Sequence, residues 1–450
     1  MTSQSEKSAD SYGSSSLKGI LKKALSLVGG RVGGNLLTLG YTLLLARLAT
    51  PAEFGLVMTG FAWTMLLSIG LALNVESGSI KYLVHYREAD KLGLMAGFIR
   101  FNRSIILAMS VLAALSCLGL WALGLLDLAG QTAQVLILAL LAAPIVALTR
   151  VYARHATALG QVLRGGLPIM LARPGVICLL LGLVWLSGVQ VGPSLLMVLL
   201  LLAFVLTALL QAFLLRKTFA DATEATPDFS ARRSWLGTGA MMAPLLVLRD
   251  NLKHVIVASA GLVLGAAEVG YLALALSLMS LAYFSMKAVD IALSPQLSKA
   301  LQNKNLTRVA HLVKTAAKLK LVALVLGCGL LALFGEPILA VFGPAYQVVF
   351  VPLFILMLVP AAEALFGPAQ IVLNVTGRQA AVFWVAGISA AVLVGATVLG
   401  GWIGAVNGAA AGAGMSYLLQ QALLWRVSLK NAHVDTSMAS LWATKRPENS

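Results

Sequence analysis

Twelve runs of about twenty apolar residues follow one another along this 450-residue chain, and no soluble core can bury them all. A helix needs roughly 20 such residues to cross the hydrocarbon core of a bilayer. The runs fall at about 27–48, 54–74, 104–126, 132–150, 167–187 and 193–215, then at 238–262, 268–292, 320–341, 347–374, 380–401 and 403–425. Hydrophobic residues make up 59% of the chain before its 42 glycines are counted, and charged residues only 11%. A soluble domain is usually about a quarter charged, because polar surface must cover its core. The sequence therefore predicts an all-α polytopic membrane protein. Its roughly twelve transmembrane helices would form two pseudo-symmetric six-helix bundles around a central cavity.

Loop charge tests this count independently of hydropathy, since basic residues accumulate on the cytoplasmic side. With the N-terminus inside, 27 of the 33 lysines and arginines fall in inner segments, and the other six fall within spans. The outer hairpins near Ala52, Leu128, Val189, Leu264, Pro344 and Gly401 contain none. Omitting one span would scramble the alternation. The predicted location is the bacterial inner membrane, multi-pass, with both termini cytoplasmic. The formal charge of +16 is then a match for anionic lipid rather than for nucleic acid. Trp121, Trp185 and Trp402 near outer ends, with Trp235 and Trp425 near inner ends, fit interfacial belts.

The expected organisation is a disordered tail over 1–17, a first six-helix bundle over 18–215, a cytoplasmic linker over 216–237, a second bundle over 238–426 and a cytoplasmic tail over 427–450. The first apolar run lacks a small-residue cleavage site and reads as a retained anchor. Cys117, Cys178 and Cys328 lie far apart within apolar runs and have no metal or redox spacing. The phosphate-loop pattern G-x-x-x-x-G-K-[ST] is absent, and no cofactor is expected.

Ala52-Glu53-Phe54-Gly55-Leu56 after the first span is echoed by Ala267-Glu268-Val269-Gly270-Tyr271 after the seventh. Six helices preserve orientation, so this repeat would be parallel, about an axis along the membrane normal. Transporters built from such halves place the substrate between them.

Ionisable residues at membrane depth are costly and mark function. The densest group is Arg249-Asp250-Asn251-Leu252-Lys253-His254 in the seventh span. Arg249 and Lys253, like Asp250 and His254, are i,i+4 neighbours, which would make two polar stripes facing a hydrated cavity. Arg173, before Pro174, and Arg31, in Gly29-Gly30-Arg31-Val32-Gly33-Gly34, are further cations, although Arg173 could snorkel and the glycines could serve helix packing. Lys287 and Asp290 are i,i+3 neighbours that could neutralise one another, and Arg47 and Glu53 read as an interfacial clamp. Glu363 stands alone in its span among Pro352, Pro360 and Pro368 and could carry a coupling proton, or could pair with Arg249 or Arg173 across the cavity. The surplus of cations in the spans should attract anions.

Leu45-Ala46-Arg47-Leu48-Ala49-Thr50-Pro51-Ala52-Glu53-Phe54-Gly55-Leu56 resembles the first hairpin of bacterial polysaccharide flippases, the O-antigen branch of the multidrug, oligosaccharidyl-lipid and polysaccharide exporter superfamily. Phe342-Gly343-Pro344-Ala345-Tyr346 is similar to the hairpin before span ten, as is the stretch Ala364-Leu365-Phe366-Gly367-Pro368-Ala369 through Thr376-Gly377-Arg378-Gln379. The resemblance implies a V-shaped pair of bundles and a polyprenyl-diphosphate-linked oligosaccharide carried from the inner to the outer leaflet. In that reading Arg249, Lys253, Arg173, Arg31 and Lys287 hold the anionic headgroup, and Asp250, Glu363, Asp290 or His254 couples transport to an ion. The chain is then a transporter, not an enzyme, working as a monomer beside a polysaccharide polymerase or glycosyltransferases. The alternatives are a drug/cation antiporter of the same fold, a membrane polymerase or ligase, and a scaffold that recruits glycosyltransferases. The cationic spans weigh against the antiporter, and the lack of a large outer loop weighs against the enzyme.

Overall fold

A computed structural model describes the backbone of residues 17–124, 129–219, 224–432 and 434–441, with side chains for the same residues except 17–28, 242–250, 440 and 441. The first half comprises α1 (Leu17–Leu48), α2 (Pro51–Leu71), the short amphipathic α3 (Ser79–Glu88), α4 (Leu92–Ala122) and α5 (Gly130–Ala158). Span five follows, formed by α6 (Val162–Leu167), a π-helical turn (Pro168–Ala172) and α7 (Arg173–Ser187), and then α8 (Pro193–Leu215). The second half comprises α9 (Arg232–Ala260), α10 (Ala266–Gln302), α11 (Leu306–Phe342), α12 (Phe350–Leu356), α13 (Leu358–Phe366), α14 (Ala369–Val375) and α15 (Gln379–Ala432). No strand occurs among the described residues. The all-α polytopic architecture is as the apolar runs predict.

Two spans depart from the straight rods of the hydropathy reading. Span ten is a chain of short pieces, because Pro344, Pro352, Pro360 and Pro368 each remove a backbone donor. It breaks at Gly367, whose φ of 65° favours glycine. Spans eleven and twelve run on through α15 and reverse at Gly404 and Ala405, where the backbone leaves helical geometry.

Burial follows the predicted repeat. The second span of each half, α2 and α10, is largely buried and lies at the centre of the molecule. The third of each, α4 and α11, stays at the edge and exposes rows such as Leu107, Val111 and Leu115, or Val322, Val325 and Leu333. On a soluble protein such rows would form an aggregating patch; here they are the faces that lipid covers. Each central helix also begins with the same local device. Thr50 N donates to Glu53 Oε2 at 2.9 Å, and Gly265 N donates to Glu268 Oε2 at 3.0 Å, so each glutamate satisfies a donor before the first turn.

The echoed glycines meet one another. A Cβ on Gly270 would lie 3.1 Å from Gly55 N and crowd Pro51 O, and a Cβ on Gly55 would run into Ala266 O and Gly270 N. The N-termini of α2 and α10 thus cross backbone to backbone and close one end of the bundle. Phe54 and Tyr271 each set an edge against Tyr346 beside this crossing, with ring centroids 5.9 and 6.1 Å apart.

One sequence expectation, the reading of Trp235, is corrected here, and three other residues gain partners. Arg47 and Glu53 both act at the first hairpin, although not on each other. Arg47 Nε donates to Val341 O of the other half at 2.7 Å, whereas Glu53 caps its own helix. Trp235 belongs to no interfacial belt: it is fully buried and donates to Tyr86 Oη at 3.0 Å. Trp425 is half-buried and donates to Asp435 Oδ1 at 2.9 Å. Trp121, Trp185 and Trp402 are exposed, as a belt requires.

Candidate functional site

A cavity of about 500 Å³ lies between α1 and span five on one side and α10 on the other. Arg31, Asn35, Thr38 and Tyr41 face it from α1, Met170, Arg173 and Ile177 from span five, and Ser280, Tyr283, Phe284 and Lys287 from α10. Lys287 lies 17 residues beyond Gly270, about 25 Å along the helix at 1.5 Å per residue, so the cavity is remote from the glycine crossing.

Small residues bring the two arginines onto one wall. A Cβ on Gly34 would collide with Met170 O, and one on Gly33 would lie 3.2 Å from Leu171 Cδ2. α1 therefore packs closely against the π-helical turn, an irregularity often found at functional sites. The turn ends at Arg173, the first residue of α7, and Pro174 follows with no N–H to donate back into the turn. The blander reading of the glycines has a place: they do serve packing, and that packing sets Arg31 beside the cavity with Arg173.

Three of the five predicted headgroup cations, Arg31, Arg173 and Lys287, thus share one wall system, and no described carboxylate lines it. Neither Arg31 nor Arg173 has an ion pair or a side-chain hydrogen bond among the described residues. Side chains of Arg249 and Asp250 lie outside the described residues, so their proposed stripes are described only for Lys253 and His254. The helix itself is kinked at Asn251 (φ −133°, ψ 17°), so the two stripes do not lie on a straight helix. Lys253 Nζ donates to Ser277 Oγ at 2.7 Å, one turn along α10 from Ser280, and lies outside the cavity lining. The His254 ring sits 5.6 Å from that of Phe61.

Glu363 is not alone, which corrects the reading of it as an isolated carboxylate. Its Oε1 accepts from Lys287 Nζ at 2.6 Å, Tyr417 Oη at 2.5 Å, Gln421 Nε2 at 3.0 Å and Tyr283 Oη at 3.3 Å. Its Oε2 lies 3.4 Å from Lys320 Nζ. Lys287 and Asp290 do not neutralise each other either, since Asp290 Oδ1 lies 2.7 Å from Lys320 Nζ. Two ammonium groups and two carboxylates therefore form one buried quartet of zero formal charge, with Lys287 as its cavity-facing member. A separate pair joins Glu76 to Arg150 at 3.3 Å in the first half.

Lys320 is the member that loop counting hides, because it stands at the edge of an apolar run beside Lys314 and Lys318. Its periodicity reveals it: Val309, Val313, Ala316, Ala317 and Lys320 share the buried stripe of α11. Tyr283, Tyr417 and Gln421 carry no charge and give no sequence signal beyond their polarity.

Solved structures resemble the chain over nearly its whole length. A multidrug resistance MATE family transporter of the MOP superfamily, in an inward-facing conformation, matches with a TM-score of 0.73 at 15% identity, covering 92% of this chain and 96% of that chain. The lipid II flippase MurJ, in an inward closed conformation, matches at 0.70 and 14% identity, covering 91% and 87%. The chain has the fold of these transporters. A MOP superfamily transporter from Pyrococcus furiosus, whose binding pocket of reverse polarity suggests a different function, matches at 0.53 and 14% identity, covering 92% and 94%. No protein-family model and no curated protein matches the sequence.

Proposed function

We propose that the chain moves an anionic, lipid-linked substrate across the inner membrane by alternating access. The substrate class is a polyprenyl-diphosphate-linked oligosaccharide, and the direction is from the cytoplasmic to the outer leaflet. One observation carries the reading: Arg31, Arg173 and Lys287, all within predicted spans, face a common cavity with no described carboxylate in its wall. Arg31 and Arg173 have no described counter-charge there, which is expensive, and a diphosphate would offset that cost with charge-assisted hydrogen bonds. The shared fold supports transport between two halves. In the topology that loop charge predicts, the glycine crossing closes the outer side and the cavity faces the cytoplasm. Arg31 and Arg173 would hold the headgroup, and the Glu363 quartet is the candidate for ion coupling.

Multidrug export, the activity named for the MATE neighbours, fits the fold equally well. The sign of the cavity wall favours anionic cargo over cationic drugs. The test is translocation of a polyprenyl-diphosphate-linked oligosaccharide in liposomes containing the purified chain. Flipping that fails in R31A/R173A is expected. Export of cationic dyes without lipid flipping would overturn the assignment.

A further inference from the structure

Lys287 belongs to two places at once. Its ammonium lines the cavity, with 34% of the side chain exposed, and lies 2.6 Å from the Oε1 of a glutamate whose own side chain is 3% exposed. Lys320, which completes the quartet, is fully enclosed. A lysine is a compact charge on a flexible stem with three rotatable donors, so it can turn from one acceptor to another without moving its helix. An anion entering the cavity competes with Glu363 for this one group.

The charge count then fixes the next event. With Lys287 in place, two positive and two negative charges cancel. With Lys287 turned to an anion, Glu363 and Asp290 share Lys320 alone, and one negative charge is left uncompensated among α10, α11, α13 and α15. Such a charge is strongly unfavourable at bilayer depth. The groups facing it from those helices are Tyr283, Lys320, Tyr417 and Gln421, and across the cavity Arg31 and Arg173 are engaged by the anion. None of the neutral groups supplies a positive charge.

We propose that Lys287 is exchanged between Glu363 and the bound anion, and that each anion bound draws one proton from cavity water onto the Glu363–Asp290 pair. The two carboxyls titrate as a unit, so the proton belongs to the pair. When the anion leaves, Lys287 returns to Glu363 and the proton returns to water. One O–H bond breaks in the water that gives up the proton and one forms on the carboxyl pair, the reverse happens on release, and anion and proton are bound and released together. This rests on the cavity being an anion site, as proposed above, and supplies the coupling step.

Sulfate binding to the purified full chain in detergent tests it, because sulfate is divalent and does not itself titrate near neutral pH. Taking up one proton per anion makes the dissociation constant rise about tenfold for each pH unit above neutral. In K287M the quartet lacks that positive charge from the start, so the pair is protonated before the anion arrives and the pH slope falls to near zero. In E363Q no carboxylate competes for Lys287, so sulfate binds more tightly than in wild type and without a pH slope; a merely structural role for Glu363 would not tighten binding. K287M carries the test alone should E363Q fail to fold. Sulfate binding to wild type with no pH slope overturns the exchange and leaves the anion site standing. A slope that follows sodium and not pH overturns the proton as the coupled cation. Absence of sulfate binding at any pH sinks the anion site and the exchange together.

Discussion

Replacing Lys320 by methionine removes a charge from the least accessible part of the quartet. At an effective dielectric near 20, an ammonium 2.7 Å from Asp290 and 3.4 Å from Glu363 gains roughly 6 and 5 kcal/mol of Coulomb energy, most of which offsets desolvation. Breaking one partner out of a buried pair typically costs about 3–5 kcal/mol, because the carboxyl left over must either stay charged without the attraction or take up a proton. For a cooperative unit of about 150–250 residues, that corresponds to roughly 6–20 °C in unfolding midpoint. The double variant K320M/D290N restores neutrality and leaves Lys287 paired with Glu363. It should regain most of the loss, with a coupling of about 2–3 kcal/mol between the two sites. Tryptophan fluorescence of detergent-solubilised protein during a thermal ramp at fixed scan rate measures all four members of the cycle. A K320M midpoint within about 2 °C of wild type, or a double variant as unstable as the two singles combined, would refute a quartet held together by charge balance.

Three further outcomes are expected. R31A and R173A should each weaken sulfate binding about 10- to 100-fold, the value of one charged hydrogen bond, as read by calorimetry; unchanged affinity in both would remove them from the site. G270V should cost about 1–3 kcal/mol and loosen the α2–α10 crossing, so that a cysteine at Val57, buried in wild type, becomes reactive towards a membrane-impermeant maleimide in a cysteine-free background. Burial alone would raise the Asp435 carboxyl, but donors from Ser437 and Trp425 outweigh it and hold it below the ordinary aspartate range. The Trp425–Asp435 bond should therefore persist at neutral pH and be lost only as pH falls through that depressed value, seen as a Trp425 emission shift that D435N abolishes.

The spans and their order are legible in the sequence because hydropathy and loop charge report on the same solvent boundary independently. The Gly55 and Gly270 echo is legible as a repeat, although not as a contact, since sequence similarity carries no distance. Arg31, Arg173 and Lys287, which line the cavity, are legible as candidates because charge is conspicuous in apolar runs. What they pair with is not. Glu363 reads as solitary when its partners come from α10, α11 and α15, between 43 and 80 residues away. Lys320 reads as a loop lysine until helical period is applied to α11. The kink at Asn251 has no proline or glycine beside it to announce it, so the i,i+4 stripes presuppose a straighter helix than the chain forms.

The meeting of Gly55 with Gly270 decides how readily the far end of the bundle could part. Where helices interlock through leucines and phenylalanines, separating them means pulling each side chain from its socket and refilling the void. Two bare stretches of main chain have no such teeth. At that point they hold by close fit, so resistance to parting is left to the neighbours, Phe54 and Tyr271 against Tyr346 and Arg47 on Val341 O.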